Sequence, residues 1–243
     1  MSKRLLDRQV SLLAYLTSGS AIFGEGDDVP LDPDLCGMDR RLLRLEARFS
    51  HEKRMEKIAA VFPQTLEILG DARLAMLQTF AEACPPTDIS RIANASQFHD
   101  FLATRKPNGF GPPYLPDVAA CELACAKVRA AVDEQVVGKA RRRKRRSPGS
   151  IQRSPGVALL QCTYDIRPIF EDGLGVVEER NTPLAVAMMP GAPDPRIFEL
   201  APVAFDLLAA LDGWTDPLEF GDAPEVRGLI ADLIEHGLIV VGR

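Results

Sequence analysis

The chain has 243 residues, enough for one large domain or two ordinary ones, and 46% hydrophobic with 26% charged residues excludes a disordered protein. Aromatics are 6%, while Leu and Ala are abundant, which favours helices. The net charge of −5 hides an asymmetry: seven of the eight residues from Lys139 to Arg146 are basic, and without them 22 Lys and Arg face 34 acids.

The first apolar stretch, Val10 to Leu16, is short and interrupted by Ser11, so no secretory signal is read. No window approaches the roughly 18 apolar residues of a membrane span. Five cysteines at irregular spacing do not form a disulfide framework. A reducing cytoplasm is the expected compartment, with no membrane contact.

Leu5, Leu6, Gln9, Leu12, Leu13 and Leu16 recur at three and four, which predicts an amphipathic helix closing near Gly19. A polar loop from Gly24 to Gly37 follows. A second helix is expected over 39–62, with Leu42, Leu45, Phe49, Met55, Ile58 and Phe62 as its apolar positions. Pro63 should interrupt it, since proline lacks an amide donor. Short helices follow at 66–69, stopped by Gly70, and at 72–83, halted by Pro85 and Pro86. Ser96 is an expected N-cap for a helix over 97–103. Lys106 to Pro116 holds four prolines and two glycines and reads as a loop. A long helix then spans 116–137, its stripe formed by Leu115, Val118, Cys121, Cys125, Val128 and Val132.

The basic run passes into Ser147-Pro148-Gly149-Ser150, which is linker chemistry. The expected division is a helical domain over 1–138, a basic linker over 139–154 and a small α+β domain over 155–243. In the last, Val157–Ile166 and Leu184–Met189 read as strands, with a turn at 172–175. Val203, Leu207, Leu208 and Leu211 mark a helix ended by Asp212-Gly213. Asp222 and Glu225 have capping-box spacing ahead of a helix carrying Val226 to Ile234. His236-Gly237 ends it, and 238–241 reads as a last strand. The fold class is mainly α, with a winged-helix-like tail.

Catalytic signals are weak. Cys121 and Cys125 stand one helical turn apart, but a four-coordinate zinc site needs more ligands and both fall on the apolar stripe, so a core role is expected. Their use with Cys162 in a thiol or metal function is the less favoured alternative. His51, His99 and His236 are scattered and lack metal-ligand spacing. No nucleophile elbow, phosphate loop or dinucleotide fingerprint occurs. No catalytic residue, metal or cofactor is therefore assigned. The basic run could meet phosphates, yet the last helix offers Arg227 against Glu225, Asp232 and Glu235, so nucleic acid is disfavoured.

The apolar strands carry the functional signal. A small sheet has edges whose unpaired amides and carbonyls can accept a strand from a peptide. Leu159, Gln161, Thr163, Leu184, Val186 and Met188 are the candidate peptide-binding residues, unless the domain's own helices cover both strands.

Two stretches carry a resemblance. The N-terminal text Leu5-x3-Gln9-x2-Leu12, Val61-Phe62-Pro63-x2-Leu66-x2-Leu69-Gly70, Cys84-Pro85-Pro86, Phe98-x2-Phe101-Leu102 and Pro113-Tyr114-Leu115-Pro116-Asp117-Val118-Ala119-x2-Glu122-Leu123-Ala124 resembles a bacterial helical family described as DNA-binding. The loop from Gly24 to Gly37 departs from it. The text Phe198-Glu199-Leu200-x4-Phe205-x-Leu207-Leu208-x2-Leu211-Asp212-Gly213-Trp214, then Leu233-x3-Gly237-Leu238-Ile239, resembles PqqD-like peptide-recognition domains. The combination is similar to MbnC-type proteins of methanobactin biosynthesis and to TglI. That resemblance implies a non-catalytic subunit that binds an MbnB-like TIM-barrel iron oxidase and presents a ribosomal precursor peptide for cysteine modification. The alternative is a transcriptional regulator using the tail and the basic segment.

Overall fold

The computed structural model describes residues 3–24, 31–104, 111–137, 148–173, 176–189 and 191–242. The basic run 139–146 lies outside these residues, as do 25–30 and 106–110 of the expected loops over 24–37 and 106–116. The chain is mainly helical and separates into two compact units, Met1–Pro113 and Tyr114–Arg243. The division falls ahead of the long helix rather than in a linker at 139–154. The reason is packing: helix 115–137 lies on the strands that follow it and belongs with them.

In the first unit α1 (Lys3–Leu16) and α2 (Gly19–Phe23) pack with α3 (Arg40–Ala59). Ser18 caps α2 by accepting from the Ala21 amide, and Asp39 caps α3 by accepting from Arg41 and Leu42. Leu12, Tyr15 and Leu16 of α1 meet Ile22, Leu35, Leu43 and Ala47 in one core. The inward face of α3 is Leu43, Ala47, Arg54 and Ile58. Leu42, Leu45 and Phe49, expected inside, are exposed, as are Leu6, Val10 and Leu13 of α1.

Pro63 does not merely break a helix; it opens α4 (Pro63–Leu69), where its missing amide costs no hydrogen bond. Then come α5 (Arg73–Ala83) and α6 (Arg91–Thr104). The latter begins well before Ser96, at Ser90, whose hydroxyl accepts from the Ala93 amide at 3.1 Å. The rings of Phe62, Phe80, Phe98 and Phe101 meet edge-on with centroids 5.1–5.3 Å apart. Arg54 enters this cluster from α3 with its guanidinium 4.5 Å from the Phe80 centroid. Its Nε donates to Asn94 Oδ1 at 2.9 Å and a terminal nitrogen to Gln97 Oε1 at 3.2 Å. Burial lowers the Arg54 pKa from its ordinary value, but a guanidinium remains charged at neutral pH.

In the second unit α7 (Leu115–Val137) is followed by β1 (Ile151–Arg153), β2 (Val157–Asp165), α8 (Arg167–Asp172), β3 (Glu178–Ala187) and β4 (Arg196–Glu199). The chain continues with α9 (Pro202–Ala210), α10 (Pro224–Glu235) and β5 (Ile239–Val241). The strands form two antiparallel sheets, β1-β5 and β2-β3-β4. Val157, Ala185 and Ala187 face a core built from α9, α10 and β5, and Leu159 packs on it half-buried. The opposite face of β2 and β3 meets α7. With both faces covered, Leu184 and Val186 are fully buried, which stabilises by about 1.5–3 kcal/mol each. The expected capping box does not form, because Ala223 occupies the N-cap and Pro224 begins α10.

One end of this sheet carries an ion cluster. Arg167 and Arg180 each place a terminal nitrogen 2.6 Å from Asp165 Oδ2, and Arg167 lies 2.7 Å from Glu199 Oε2. Hydrogen bonds from Arg167 foremost, then Arg180, hold the Asp165 carboxyl well below the usual carboxylate range. A depressed folded-state pKa means stability that is present above the unfolded value, near 4, and lost as pH falls through the folded value. Asp165→Asn should therefore cost about 2–3 kcal/mol at pH 7. It should also flatten the acid limb of stability below about pH 4, which urea titrations followed across pH will read.

Candidate functional site

The backbone pattern of the three-stranded sheet decides which groups are open. The Met188 amide donates to the Gly156 carbonyl at 3.0 Å, and the register then pairs Ala158 with Val186 and Leu160 with Leu184. Antiparallel ladders alternate, so the even-numbered positions of β2 bond to β3. Leu159 and Gln161 consequently direct their amides and carbonyls away from β3. Across from Gln161 stands Pro183, a residue without an amide donor, at a point where that donor would face away from β2. The Leu200 amide donates to the Pro183 carbonyl at 2.9 Å, which confirms that odd positions of β3 look towards β4. No described residue bonds the outward groups of Leu159 and Gln161.

Beyond Gln161 the edge closes. The register slips between Cys162 and Tyr164, a bulge that leaves two neighbouring amides without a ladder partner. Asp117, in the first turn of α7, accepts both: Thr163 N at 2.8 Å and Tyr164 N at 3.0 Å, through Oδ2. The Tyr114 and Tyr164 rings meet edge-on beside it, with centroids 6.2 Å apart. One helical carboxylate thus ends the exposed edge, a device that limits unwanted pairing.

The six residues read from the sequence fall into three groups. Leu159 and Gln161 form the open edge, the first half-buried against the core and the second exposed with Nε2 donating to Asn181 Oδ1 at 2.7 Å. Thr163 shares the strand, but its amide is taken. Leu184 and Val186 are corrections: they lie on β3, the middle strand, paired with β2 on one side and β4 on the other, so they offer a guest chain nothing. Met188 follows β3 and its amide is bound by Gly156. Leu184 to Ala187 are buried because both faces of β3 are covered and it is the middle strand. The β2 strand is as apolar over 157–160 yet is an edge, so an apolar run alone does not tell the centre of a sheet from its rim.

Sequence reading missed β4, whose four residues, Arg196-Ile197-Phe198-Glu199, show no alternation. By the same parity Ile197 directs its backbone groups outward, giving a second and shorter edge. Asp117 left no signal either, since an acid in a first helical turn is ordinary.

An extra strand on β2 would gain as many as four backbone hydrogen bonds at Leu159 and Gln161, each contributing about 1 kcal/mol net. Four such bonds correspond to about millimolar affinity. Any tighter binding must come from side chains beside the edge.

The nucleic-acid alternative finds little here. The α10 helix exposes Glu225, Asp232 and Glu235, and its Arg227 lies 3.5 Å from Asp222. Among the described residues no group of three or more His, Cys, Asp or Glu is arranged to hold a metal ion, and no helix is long and apolar enough to cross a membrane. No family model matches the chain, and no curated protein is significantly similar to it.

Proposed function

We propose that this chain is a non-catalytic accessory subunit that receives an extended peptide along β2 and docks through its helical unit onto a separate catalyst. The observation that carries this is the open edge at Leu159 and Gln161. The resemblance to MbnC-type and TglI proteins names the partners: an MbnB-like iron oxidase and a ribosomal precursor peptide bearing a modifiable cysteine. Three antiparallel strands followed by α9 and α10 are compatible with the PqqD-like, winged-helix reading of the tail. Exposed apolar stripes on α1, through Leu6, Val10 and Leu13, and on α3, through Leu42, Leu45 and Phe49, support docking of a protein partner.

A peptide held at one site while it reacts at another gains effective concentration at the reactive end. Such a subunit needs no chemistry of its own. Co-expression with an MbnB-like oxidase and a short cysteine-containing precursor peptide should yield a complex that survives moderate salt. Retention of neither partner would refute the reading.

A further inference from the structure

Two contacts fix how α7 lies over the open rim of the sheet. Asp117 reaches the amides of Thr163 and Tyr164 at 2.8 and 3.0 Å, so its side of the helix faces the rim of β2. Arg129 reaches Asp194, on the connection between β3 and β4, at 2.6 Å, so its side faces the opposite flank. Between these two sides Cys121 and Val128 are buried towards the strands. The direction follows from the far end, where a Cβ on Gly156 would stand 3.3 Å from Val132 Cγ2. The helix therefore runs antiparallel along β2, from Tyr164 back to Gly156.

Helical spacing then places Lys127 within about 80° of Asp117 around the axis and about 160° from Arg129, on the rim side. It stands about 15 Å along the axis from Asp117, the length of four or five strand residues, which brings it level with Leu159. Ala120 and Ala131 share that side, and their methyls are too short to screen the rim. Lys127 is exposed, and the residues three and four positions away on the helix are Leu123, Ala124, Ala130 and Ala131, none of them an acid. Among the described residues it forms no ion pair. An ammonium without a counter-charge thus overlooks the open backbone groups of Leu159.

We propose that Lys127 is a specificity-determining residue of the peptide site, selecting a guest strand that bears an Asp or Glu on its α7 side, level with Leu159. The inference rests on the open-edge reading of β2 and adds the chemistry of the ligand. Side chains of a strand alternate between faces, so every second residue of a guest on β2 lies on the α7 side. A carboxylate there meets the ammonium while the backbone bonds at Leu159 and Gln161 hold the strand. Backbone pairing is blind to sequence, and the lysine supplies register, because a slip of one residue carries the acid to the other face. An ion pair of this kind strengthens binding by up to about fivefold and weakens as salt rises.

The test selects short random peptides displayed on phage against the full chain, then measures synthetic copies of the retained ones by fluorescence anisotropy. Retained peptides should share an Asp or Glu at one fixed place. Lys127→Glu, a change at an exposed position that leaves the fold intact, should bind them about fivefold more weakly or worse. Exchanging that acid for Lys in the peptide should restore the loss. Gln161→Pro should weaken the same peptides with either residue at position 127. The proposal is overturned if peptides lost by Gln161→Pro carry no shared acid, or bind Lys127→Glu undiminished; the open edge then stands without it. It is also overturned if acidic peptides depend on Lys127 but not on Gln161, since the lysine would then act away from β2. Retention of no peptide at all would remove the edge reading and the inference together.

Discussion

Phe80→Ala is expected to destabilise the helical unit by about 4–6 kcal/mol, through the cavity left by a buried ring and the loss of a desolvated cation–π contact. Phe80 is fully buried and meets the Phe98 and Phe101 rings edge-on, with the Arg54 guanidinium 4.5 Å from its centroid. Removing it takes away the face on which a buried charge rests. The partners left to Arg54 are the neutral amide oxygens of Asn94 and Gln97. Arg54→Met, which keeps the stem and drops the charge, should cost only about 1–2 kcal/mol, mostly from leaving Asn94 Oδ1 without its donor. The double variant should then fall short of the sum by about 1–2 kcal/mol, because the ring–cation contact is lost only once. Native-state hydrogen exchange of amides in α5 and α6 gives these energies without assuming that a two-unit chain unfolds in one step. Strict additivity would mean that the ring contributes nothing to holding the charge.

The same cluster shows how much of the fold is legible in the sequence. Helix existence follows from periodicity: α1, α3, α5, α7, α9 and α10 lie where apolar spacing places them. Which face of a helix goes inside is less secure. In α3 the apolar residues Leu42, Leu45 and Phe49 trace a stripe as good as Leu43, Ala47 and Ile58, and only tertiary packing chooses between them. Arg54 lies on the chosen face, where a hydropathy argument would never put it, because an aromatic ring and two amides replace its water. Boundaries err for local reasons: Ser90 rather than Ser96 starts α6, since its hydroxyl meets an amide three residues on.

The candidate site was half legible. Strand content could be read from Val157–Ile166 and Leu184–Met189, but edge status depends on a third strand, and β4 is too short to announce itself. Register is invisible in composition, so Leu184 and Val186 read like Leu159, although pairing separates the centre of a sheet from its rim. Asp117 lies 46 residues from Thr163, and nothing local links them.

Register also supplies the sharpest test of the edge. Gln161→Pro should leave stability within about 1 kcal/mol of the parent, because its amide faces away from β3 and proline there removes no ladder bond. It should nevertheless weaken precursor-peptide binding about tenfold or more, since one donor is lost and the pyrrolidine ring blocks the approaching backbone; tenfold is about 1.4 kcal/mol. Leu160→Pro, one residue away, has the opposite profile. Its amide belongs to the ladder with Leu184, and its loss should cost about 2–3 kcal/mol. Ile197→Pro probes the other rim of the sheet in the same way. Peptide affinity by calorimetry and stability by urea titration on all three variants separate the edges. Full peptide affinity in Gln161→Pro, or its loss in Ile197→Pro alone, would move the guest strand away from β2. Binding that fails only with Leu160→Pro would mean that the peptide needs the sheet intact but does not extend it. The reading requires the odd positions of β2 to control the peptide and the even positions to control the fold, a two-residue alternation that no general surface attraction would reproduce.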